Sequence, residues 1–321
     1  MNYYFAPLEG ITGLSYRRMH HKYFGGIDKY YMPFLSPTQT HCLSKKEQRE
    51  LPPKNQEPYE AVPQILTKSV EDFLWAAEQC ADRGYSEVNL NIGCPSGTVV
   101  SKGKGSGMLK NTEYLQEFLE QIFEKCPLEI SVKTRIGLTD KEEFPRILSV
   151  LNQFPMKELT IHPRVQKQFY KGTVDLEQFA YALEHSPLPI CYNGDICNRK
   201  DLEGLRKRFP TVDSCMIGRG LLADPGMLVG GTKREALIPF HEELFDNYCE
   251  IFGDANNAMA RMKELWSMLI CLFQDSESYW KKLRKCSKYK EFRDISTEVL
   301  TNVPLFTELH PHWQERRLYH E

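Results

Sequence analysis

Eight short apolar runs that alternate with helical periodicity predict an α/β fold, a (β/α)8 TIM barrel followed by a small all-helical C-terminal domain. No Gly-x-Gly-x-x-Gly follows the first run, so a barrel is favoured over a doubly wound sheet. After Thr232 the strand-like runs stop, and His241–Phe252 and Asn257–Phe273 are typical of helices. We therefore predict a barrel over residues 1–232 and a helical domain over residues 233–321.

The predicted strands are short and apolar, and turns or helical stretches separate them. They are Tyr3–Ala6, Asp28–Met32, Ala61–Ile65, Glu87–Asn91, Glu129–Lys133, Glu158–His162, Leu188–Asn193 and Asp213–Gly218. Apolar residues at helical spacing predict helices over Val70–Ala81 and Leu115–Phe123, the second capped by Asn111 or Thr112. The polar, proline-containing stretch Ser44–Glu60 predicts a long loop after the second strand.

Composition excludes several classes of protein. Lysine and arginine total 41 against 43 acidic residues, so any nucleic acid must be held by a local basic patch. Met1–Gly10 lacks the pattern of a secretory signal, and the longest apolar run, Leu265–Phe273, is about half of what a bilayer requires. The ten cysteines show no zinc spacing, which predicts no metal site, mostly buried thiols and a reducing cytoplasm. We expect no membrane association and no stable protein partner.

Unusual polar residues occur where the predicted strands end. The carboxyl ends of barrel strands are where active sites lie, and a buried charge or amide there needs a partner. The set comprises Gln64, Asn91, Cys94, Lys133, Arg135, His162, Asn193, Gly194, Asp195, Gly218 and Arg219. A ligand surrounded by these residues would supply the missing partners. The structural alternatives are a salt bridge for Lys133, backbone hydrogen bonds for His162 and ordinary glycine turns for the rest.

The type of ligand is indicated by the last two strands. Gly194, Gly218 and Gly220 would let the backbone approach a phosphate, and Arg219 adds a planar cation that grips phosphate. Lys133 would place positive charge beside an electron-rich ring, as an isoalloxazine requires when it is reduced. These residues favour a phosphate-bearing cofactor or substrate.

Cys94 lies in a glycine-bearing turn that leads into a predicted long, mobile loop, Val99–Leu109. A thiol with a pKa of about 8.5 is mostly protonated at pH 7 and can act as a general acid beside a developing carbanion. A nucleophilic role would need a base or cation that favours the thiolate. A small apolar filler is the third interpretation.

Seven short motifs follow one another along the chain. They are Ala6–Thr12, Val62–Ile65, Asn89–Pro95, Val132–Gly137, Thr160–His162, Tyr192–Ile196 and Met216–Gly220. In this order and spacing they resemble the flavin-dependent dihydrouridine synthases, which reduce uridine in RNA. The resemblance covers nearly the whole chain.

The resemblance implies a set of residues that bind FMN: Pro7, Leu8, Glu9, Gln64, Lys133, His162, Asn193, Gly194, Asp195, Gly218 and Arg219. It also implies that Cys94 donates a proton and that Asn91 and Arg135 face the uracil. By analogy, NADPH (or NADH) binds transiently and reduces the flavin, hydride passes from flavin N5 to C6 of the uracil, and Cys94 protonates C5. A uridine stacked in RNA must first be flipped out.

The family's helical domain grips RNA, most simply tRNA, and Tyr279–Arg293 is the matching segment here. It holds seven basic residues and one acid, and Lys281, Lys282, Arg284 and Lys285 are its central cations. Four aromatic residues would supply stacking surfaces: Tyr279, Trp280, Tyr289 and Phe292. The alternative is a solvated helix face whose aromatic residues belong to the core.

Two rival functions remain open from the sequence alone. One is a flavin oxidoreductase of a free small molecule, similar to dihydroorotate or dihydropyrimidine dehydrogenases, and the other is an RNA-binding protein without catalysis. The basic aromatic segment favours RNA over a free molecule. Cys94, Lys133 and Gln64 together favour catalysis. Ribosomal RNA stays an alternative to tRNA as the target.

Overall fold

The structure is a computed structural model that describes residues 1–309, Pro311 and Trp313. Its strands are β1 Asn2–Phe5, β2 Lys29–Tyr31, β3 Ala61–Val62, β4 Gln64–Ile65, β5 Glu87–Ile92, β6 Glu129–Arg135, β7 Leu159–His162, β8 Ile190–Asn193 and β9 Ser214–Ile217. Its α-helices are α1 Leu14–Tyr23, α2 Lys45–Glu50, α3 Val70–Ala81, α4 Gly97–Val100, α5 Thr112–Lys125, α6 Phe144–Leu151, α7 Leu176–His185, α8 Arg199–Arg208, α9 Arg219–Ala223, α10 Arg234–Phe252, α11 Ala255–Leu269, α12 Glu277–Leu283 and α13 Tyr289–Asn302.

All the strands of the sheet run parallel, in the order β3-β2-β1-β9-β8-β7-β6-β5-β4. The strands at its two ends, β3 and β4, are consecutive in the chain because Pro63, which has no N–H to donate, interrupts one strand. The Pro63 carbonyl accepts from Asn89 N at 2.8 Å, and the Val62 carbonyl accepts from Met32 N at 2.9 Å. The sheet therefore closes, and the predicted eight-stranded barrel is confirmed.

The register of β5 and β6 puts a row of polar side chains on one face. Asn89 pairs with Ser131, and Asn91 pairs with Lys133. Residues two apart in a strand lie on the same face, so Glu87, Asn89 and Asn91 form one polar row. The residues between them, Val88 and Leu90, are fully buried and lie on the opposite face.

The sequence predicts the positions of α3 and α5 correctly, but not the helix within Ser44–Glu60. Asn111 caps α5 by accepting from Tyr114 N at 3.0 Å, as predicted, and Ser69 caps α3 in addition. The expectation of a continuous loop over Ser44–Glu60 is wrong, because α2 forms within it. Ser44 and Glu47 make a capping box at its start, a signal that the prolines of this stretch obscured.

The chain divides into two compact units. One comprises residues 1–7, 28–194 and 206–216, and the other comprises residues 8–27, 195–205 and 217 onward. In the second unit α10 and α11 pack against each other, and α13 also packs against both. The assignment of residues 233–321 as an RNA-binding domain stays a prediction, and its residues 310, 312 and 314–321 lie outside the described residues.

Helix length and cysteine burial can be read directly from the described chain. None of its helices is both long and apolar enough to cross a membrane. All ten cysteines are free thiols; five are buried, four are half-buried, and Cys42 is exposed.

Two neutral histidines buried in the second unit make its stability depend on pH. His20 Nε2 donates to the Pro225 carbonyl at 3.0 Å, and His241 Nε2 accepts from Trp266 Nε1 at 3.0 Å. Burial lowers the pKa of His20 to about 3 and the pKa of His241 to about 4. The unfolded chain, whose histidine pKa is about 6.5, therefore binds more protons below pH 6.5.

We expect the free energy of unfolding to fall as the pH falls from about 6.5 to about 4, by up to about 1.4 kcal/mol per pH unit for each of these histidines. Urea unfolding at pH 7.5, 6 and 5 measures this slope. His241→Gln keeps an acceptor for the Trp266 indole. It should make the dependence of the unfolding free energy on pH shallower, because about one proton fewer is taken up on unfolding. The exposed His185→Gln serves as the control. Equal slopes for the wild type and His241→Gln would contradict the assignment.

Candidate active site

A chain of buried amides connects the carboxyl ends of β4 and β5. Asn91 Nδ2 donates to Gln64 Oε1 at 2.8 Å, and Gln64 Nε2 donates to Asn89 Oδ1 at 2.8 Å. Asn89 continues the chain to Ser131 Oγ at 3.0 Å, and Ser131 donates to Glu87 at 2.7 Å. Gln64 is fully buried, so the chain fixes which end of its amide is the donor.

Lys133 lies opposite Asn91 in the register and is mostly buried. Among the described residues no carboxylate lies within 4 Å of its ammonium group. Burial, and after it the positive charge of Arg135, lowers the pKa of Lys133 to about 8. A cation that loses hydration without gaining a counter-ion is destabilising, and an electron-rich ligand would relieve the cost.

Cys94 is half-buried in a turn that Asn91 organises. Asn91 Oδ1 accepts from Gly93 N at 3.0 Å and from Cys94 N at 2.9 Å. The Cys94 carbonyl accepts from Ser106 N at 3.1 Å and Ser106 Oγ at 2.8 Å. A side chain at Gly105 would meet the Cys94 carbonyl at 2.9 Å, so the loop packs directly on the cysteine. The expectation of a continuous loop over Val99–Leu109 is wrong, because this stretch overlaps the end of α4 and most of a 3-10 turn, Gly105–Lys110.

Arg135 ties this turn to the loop after β7. Its Nε donates to the Gly93 carbonyl at 3.0 Å, Nη1 to the Val165 carbonyl at 3.1 Å and Nη2 to the Phe169 carbonyl at 2.6 Å. The side chain is 1% exposed. The geometry makes Arg135 a positioning residue for the loops beside Cys94, while its predicted contact with uracil stays a prediction.

The loop after β7 adds two residues that sequence reasoning did not assign to the site. Arg164 is 1% exposed, and its Nη1 donates to His162 Nε2 at 3.1 Å, so the ring proton of a neutral His162 lies on Nδ1. Tyr170 is 47% exposed, with its ring over the Arg135 guanidinium at 5.5 Å. Arg164 could have been found by the same strand-end rule that selected His162, but Tyr170 had no such signal.

The end of β8 completes the polar rim of the first unit. Asn193 Nδ2 donates to the Met216 carbonyl at 2.7 Å, which links β8 to β9. A side chain at Gly194 would meet Val174 at 2.8 Å and Tyr192 Oη at 3.0 Å, so glycine is required there. Pro7, just past β1, is half-buried. Of the predicted set, the hydrogen bonds and register of this unit bring together Gln64, Asn91, Cys94, Lys133, Arg135 and His162.

In the second unit, Asp195 and Arg219 form an ion pair. Arg219 Nη2 donates to Asp195 Oδ1 at 3.0 Å, and both side chains are mostly buried. Gly218 precedes α9 directly. A Cβ at Gly220 would lie 2.1 Å from the Ile196 carbonyl, so only glycine lets α9 start this close to the loop that carries Asp195.

Leu8 and Glu9 lie in a short loop of the same unit. Thr12 Oγ1 accepts from Leu8 N at 2.8 Å, and Arg261 Nη1 donates to the Gly10 carbonyl at 2.7 Å. Glu9 is exposed and lines a surface groove of about 620 Å³ together with Arg261 and Glu264. No group of metal ligands occurs among the described residues.

The basic segment Tyr279–Arg293 spans α12 and the start of α13. Its central cations are exposed, and no carboxylate of the described chain lies within 4 Å of them: Lys281, Lys282, Arg284 and Lys285. The expectation that all four aromatic residues are available for stacking is wrong. Phe292 is 1% exposed, and Tyr289 stacks on Phe245 with ring centroids 4.6 Å apart. Tyr279 and Trp280 are half-buried.

A family model described as Dihydrouridine synthase (Dus) matches residues 4–308 of this chain. The chain belongs to this family. Curated relatives carry related names. A probable tRNA-dihydrouridine synthase of Rickettsia bellii is 26% identical over 229 residues, covering 71% of this chain and 69% of that protein. tRNA-dihydrouridine synthase B of Pasteurella multocida is 26% identical, covering 69% and 66%.

A solved structure of a morphinone reductase mutant in complex with tetrahydroNAD shares the fold. Its TM-score to this chain is 0.51 at 10% sequence identity, covering 70% of this chain and 85% of that chain. At this identity the likeness concerns the barrel alone. The family match and this likeness agree with the closed parallel sheet described above.

Proposed function

We propose that this dihydrouridine synthase family member reduces uridine to 5,6-dihydrouridine in tRNA, with bound FMN and with NADPH as the transient reductant. The supporting observation is the turn that holds Cys94, which Asn91 organises, while Asn91 itself pairs in register with the mostly buried Lys133, a cation without a carboxylate partner among the described residues. An acid and a cation on neighbouring strand ends suit a reaction that adds hydride to one atom of a ring and a proton to the next. The tRNA substrate is taken from the names of the relatives.

The residues present fit FMN in chemical type. Lys133 would face the pole of the isoalloxazine that gains negative charge on reduction, and Gln64 has a second amide N–H besides the one that Asn89 accepts. Arg219, oriented by Asp195, has the planar donor set that suits phosphate oxygens. Pro7, Leu8, Glu9, His162, Asn193, Gly194 and Gly218 belong to the same proposed set.

When bound and reduced, FMN would supply the hydride that goes from its N5 to C6 of the uracil. The residues of the chain would do the rest. Cys94 Sγ would hold the proton for C5, because hydride addition leaves enolate-like charge on C5 and O4. Asn91 fixes the Cys94 backbone through Oδ1, and Arg135 holds the Cys94 turn against the loop after β7. The uridine would be flipped out of the RNA to reach Cys94.

The direct test uses the purified full-length chain. We expect about one FMN per chain and NADPH-dependent formation of dihydrouridine in an unmodified tRNA transcript, measured by mass spectrometry of nucleosides. A folded chain that refuses FMN would defeat the proposal. An FMN-loaded chain that reduces free pyrimidines and leaves tRNA and ribosomal RNA unmodified would support the small-molecule alternative instead.

The basic segment should carry the salt dependence of RNA binding. Lys281→Gln/Lys282→Gln removes two exposed charges, so the slope of log affinity against log salt should become shallower by about 1.4–1.8. Filter binding of tRNA at salt concentrations from about 50 mM to about 200 mM measures the slope. Lys45→Gln/Lys46→Gln on α2 removes two equally exposed lysines and is the matched control. Identical slopes for the two double variants would place the RNA elsewhere.

A further inference from the structure

Three described residues near the C-terminus, Glu308, Leu309 and Trp313, here called the strap, contact the segments that carry Asp195, Lys200 and Arg219. Asn198 Nδ2 donates to the Leu309 carbonyl at 2.9 Å in a buried contact, and Lys200 Nζ lies 2.5 Å from Glu308. The Arg219 guanidinium carbon lies 5.7 Å from the centre of the Trp313 ring. All these residues belong to the second compact unit.

The loop that contacts the strap is held by a buried network of hydrogen bonds. Asp201 Oδ2 accepts from Cys197 N at 2.9 Å and from Asn198 N at 3.2 Å, and Asn198 Oδ1 accepts from Asp201 N at 2.9 Å. Asn198 is 4% exposed and Asp201 is fully buried. The Asn198 amide that donates to the Leu309 carbonyl is therefore oriented by its own hydrogen bond with the Asp201 backbone.

Trp313 contributes to the orientation of Arg219. Asp195 holds one end of the guanidinium, at 3.0 Å from Nη2, and the Trp313 ring lies over it within cation–π range. A guanidinium donates hydrogen bonds in its plane, so contacts that restrain the group also restrain the directions in which it can donate. The carboxylate of Asp195 and the nearby Trp313 ring both restrain the Arg219 side chain.

We propose that Trp313 is a positioning residue that holds Arg219 ready for the phosphate of the bound cofactor. This inference rests on the proposed function, since it takes FMN as the ligand of Arg219. The family match ends at residue 308, so Trp313 lies past the part of the chain that the family model describes. Trp313 thus adds a contact to Arg219 from a position beyond the matched residues.

The test is a titration of FMN with the flavin-free full-length chain, in which quenching of flavin fluorescence measures binding. Trp313→Ala should weaken binding about three- to tenfold, because the cation–π contact that orients Arg219 is lost. Trp313→Phe keeps a ring over the guanidinium and should stay within about twofold of the wild type. Phe306→Ala removes an exposed aromatic residue that precedes the strap and is the control.

A double-mutant cycle separates positioning from a general effect on folding. In an Arg219→Ala background, Trp313→Ala should cause no further loss of FMN affinity, because Trp313 acts through Arg219. Lys200→Gln removes the exposed ion pair between Lys200 and Glu308 and should reduce FMN affinity slightly. Thermal unfolding confirms that each variant folds.

Unchanged or tighter FMN binding by Trp313→Ala would overturn the inference, as would an equal loss in the Arg219→Ala background. A wild-type chain that binds no FMN would instead refute the proposed function. The two failures are therefore distinguishable in the same titration.

Discussion

Replacement of Cys94 by alanine is expected to slow dihydrouridine formation by at least about 100-fold, the usual contribution of a positioned general acid. Flavin binding and reduction by NADPH should be nearly unchanged, because the backbone N–H and carbonyl of residue 94, rather than its thiol, hold the turn through Asn91 and Ser106. Single-turnover reduction of tRNA by pre-reduced enzyme measures the loss, and stopped-flow reduction by NADPH measures the other half-reaction.

Cys42→Ala is the control for the thiol, since Cys42 is the exposed cysteine and lies in the 36–44 stretch before α2. Its turnover should match the wild type. Cys94→Ser should also be slow, because a hydroxyl is a much weaker acid than a thiol. Full turnover by Cys94→Ala would remove the proton-donor role and leave Cys94 as a packing residue.

Replacement of Lys133 by methionine is expected to have two opposite effects. The flavin-free chain should become more stable by about 1–3 kcal/mol at pH 7, because the folded wild type carries a mostly buried ammonium that has no carboxylate partner in the part of the chain that the structure describes. If FMN binds as proposed, it should become harder to reduce, its midpoint potential falling by on the order of 30–60 mV, because the cation proposed to stabilise the reduced ring is gone. Urea unfolding and a spectroscopic redox titration measure the two effects.

The stability difference between the wild type and Lys133→Met should depend on pH in a definite direction. Its pKa is lowered from 10.5 to about 8 in the folded chain, so the unfolded chain binds more protons between these values. The wild type therefore gains stability as the pH rises from about 8 to about 10.5, and its deficit relative to Lys133→Met disappears there. Lys125→Met, at an exposed lysine near the end of α5, should show neither effect. A destabilised Lys133→Met chain would mean that Lys133 has a structural partner.

Much of the fold could be predicted because its signals are local. Apolar runs of four to six residues, separated by helical periodicity, identified all eight barrel strands and the helices α3 and α5. The capping box that starts α2 is equally local, but the prolines of the same stretch favour a loop. The polar residues at strand ends were also predictable, since parallel strands bring their carboxyl ends to one rim.

The partners of those polar residues could not be predicted. The three carbonyls that Arg135 binds come from residues 30 to 42 positions away, and Trp313 lies 94 positions from Arg219 (313 minus 219). Nor could composition separate Tyr279 and Trp280 from Phe292, which the packing of α13 buries.

The sequence by itself determined the closed barrel, the family and the chemical types at the strand ends, because each depends on local periodicity or on short contiguous motifs. Only the tertiary structure decided that Lys133 is mostly buried with no carboxylate partner among residues 1–309, 311 and 313, that Arg135 donates to backbone carbonyls and that Trp313 lies within cation–π range of Arg219. These features depend on side chains that meet across long stretches of chain, and their energies are set by desolvation and geometry, which no local pattern encodes.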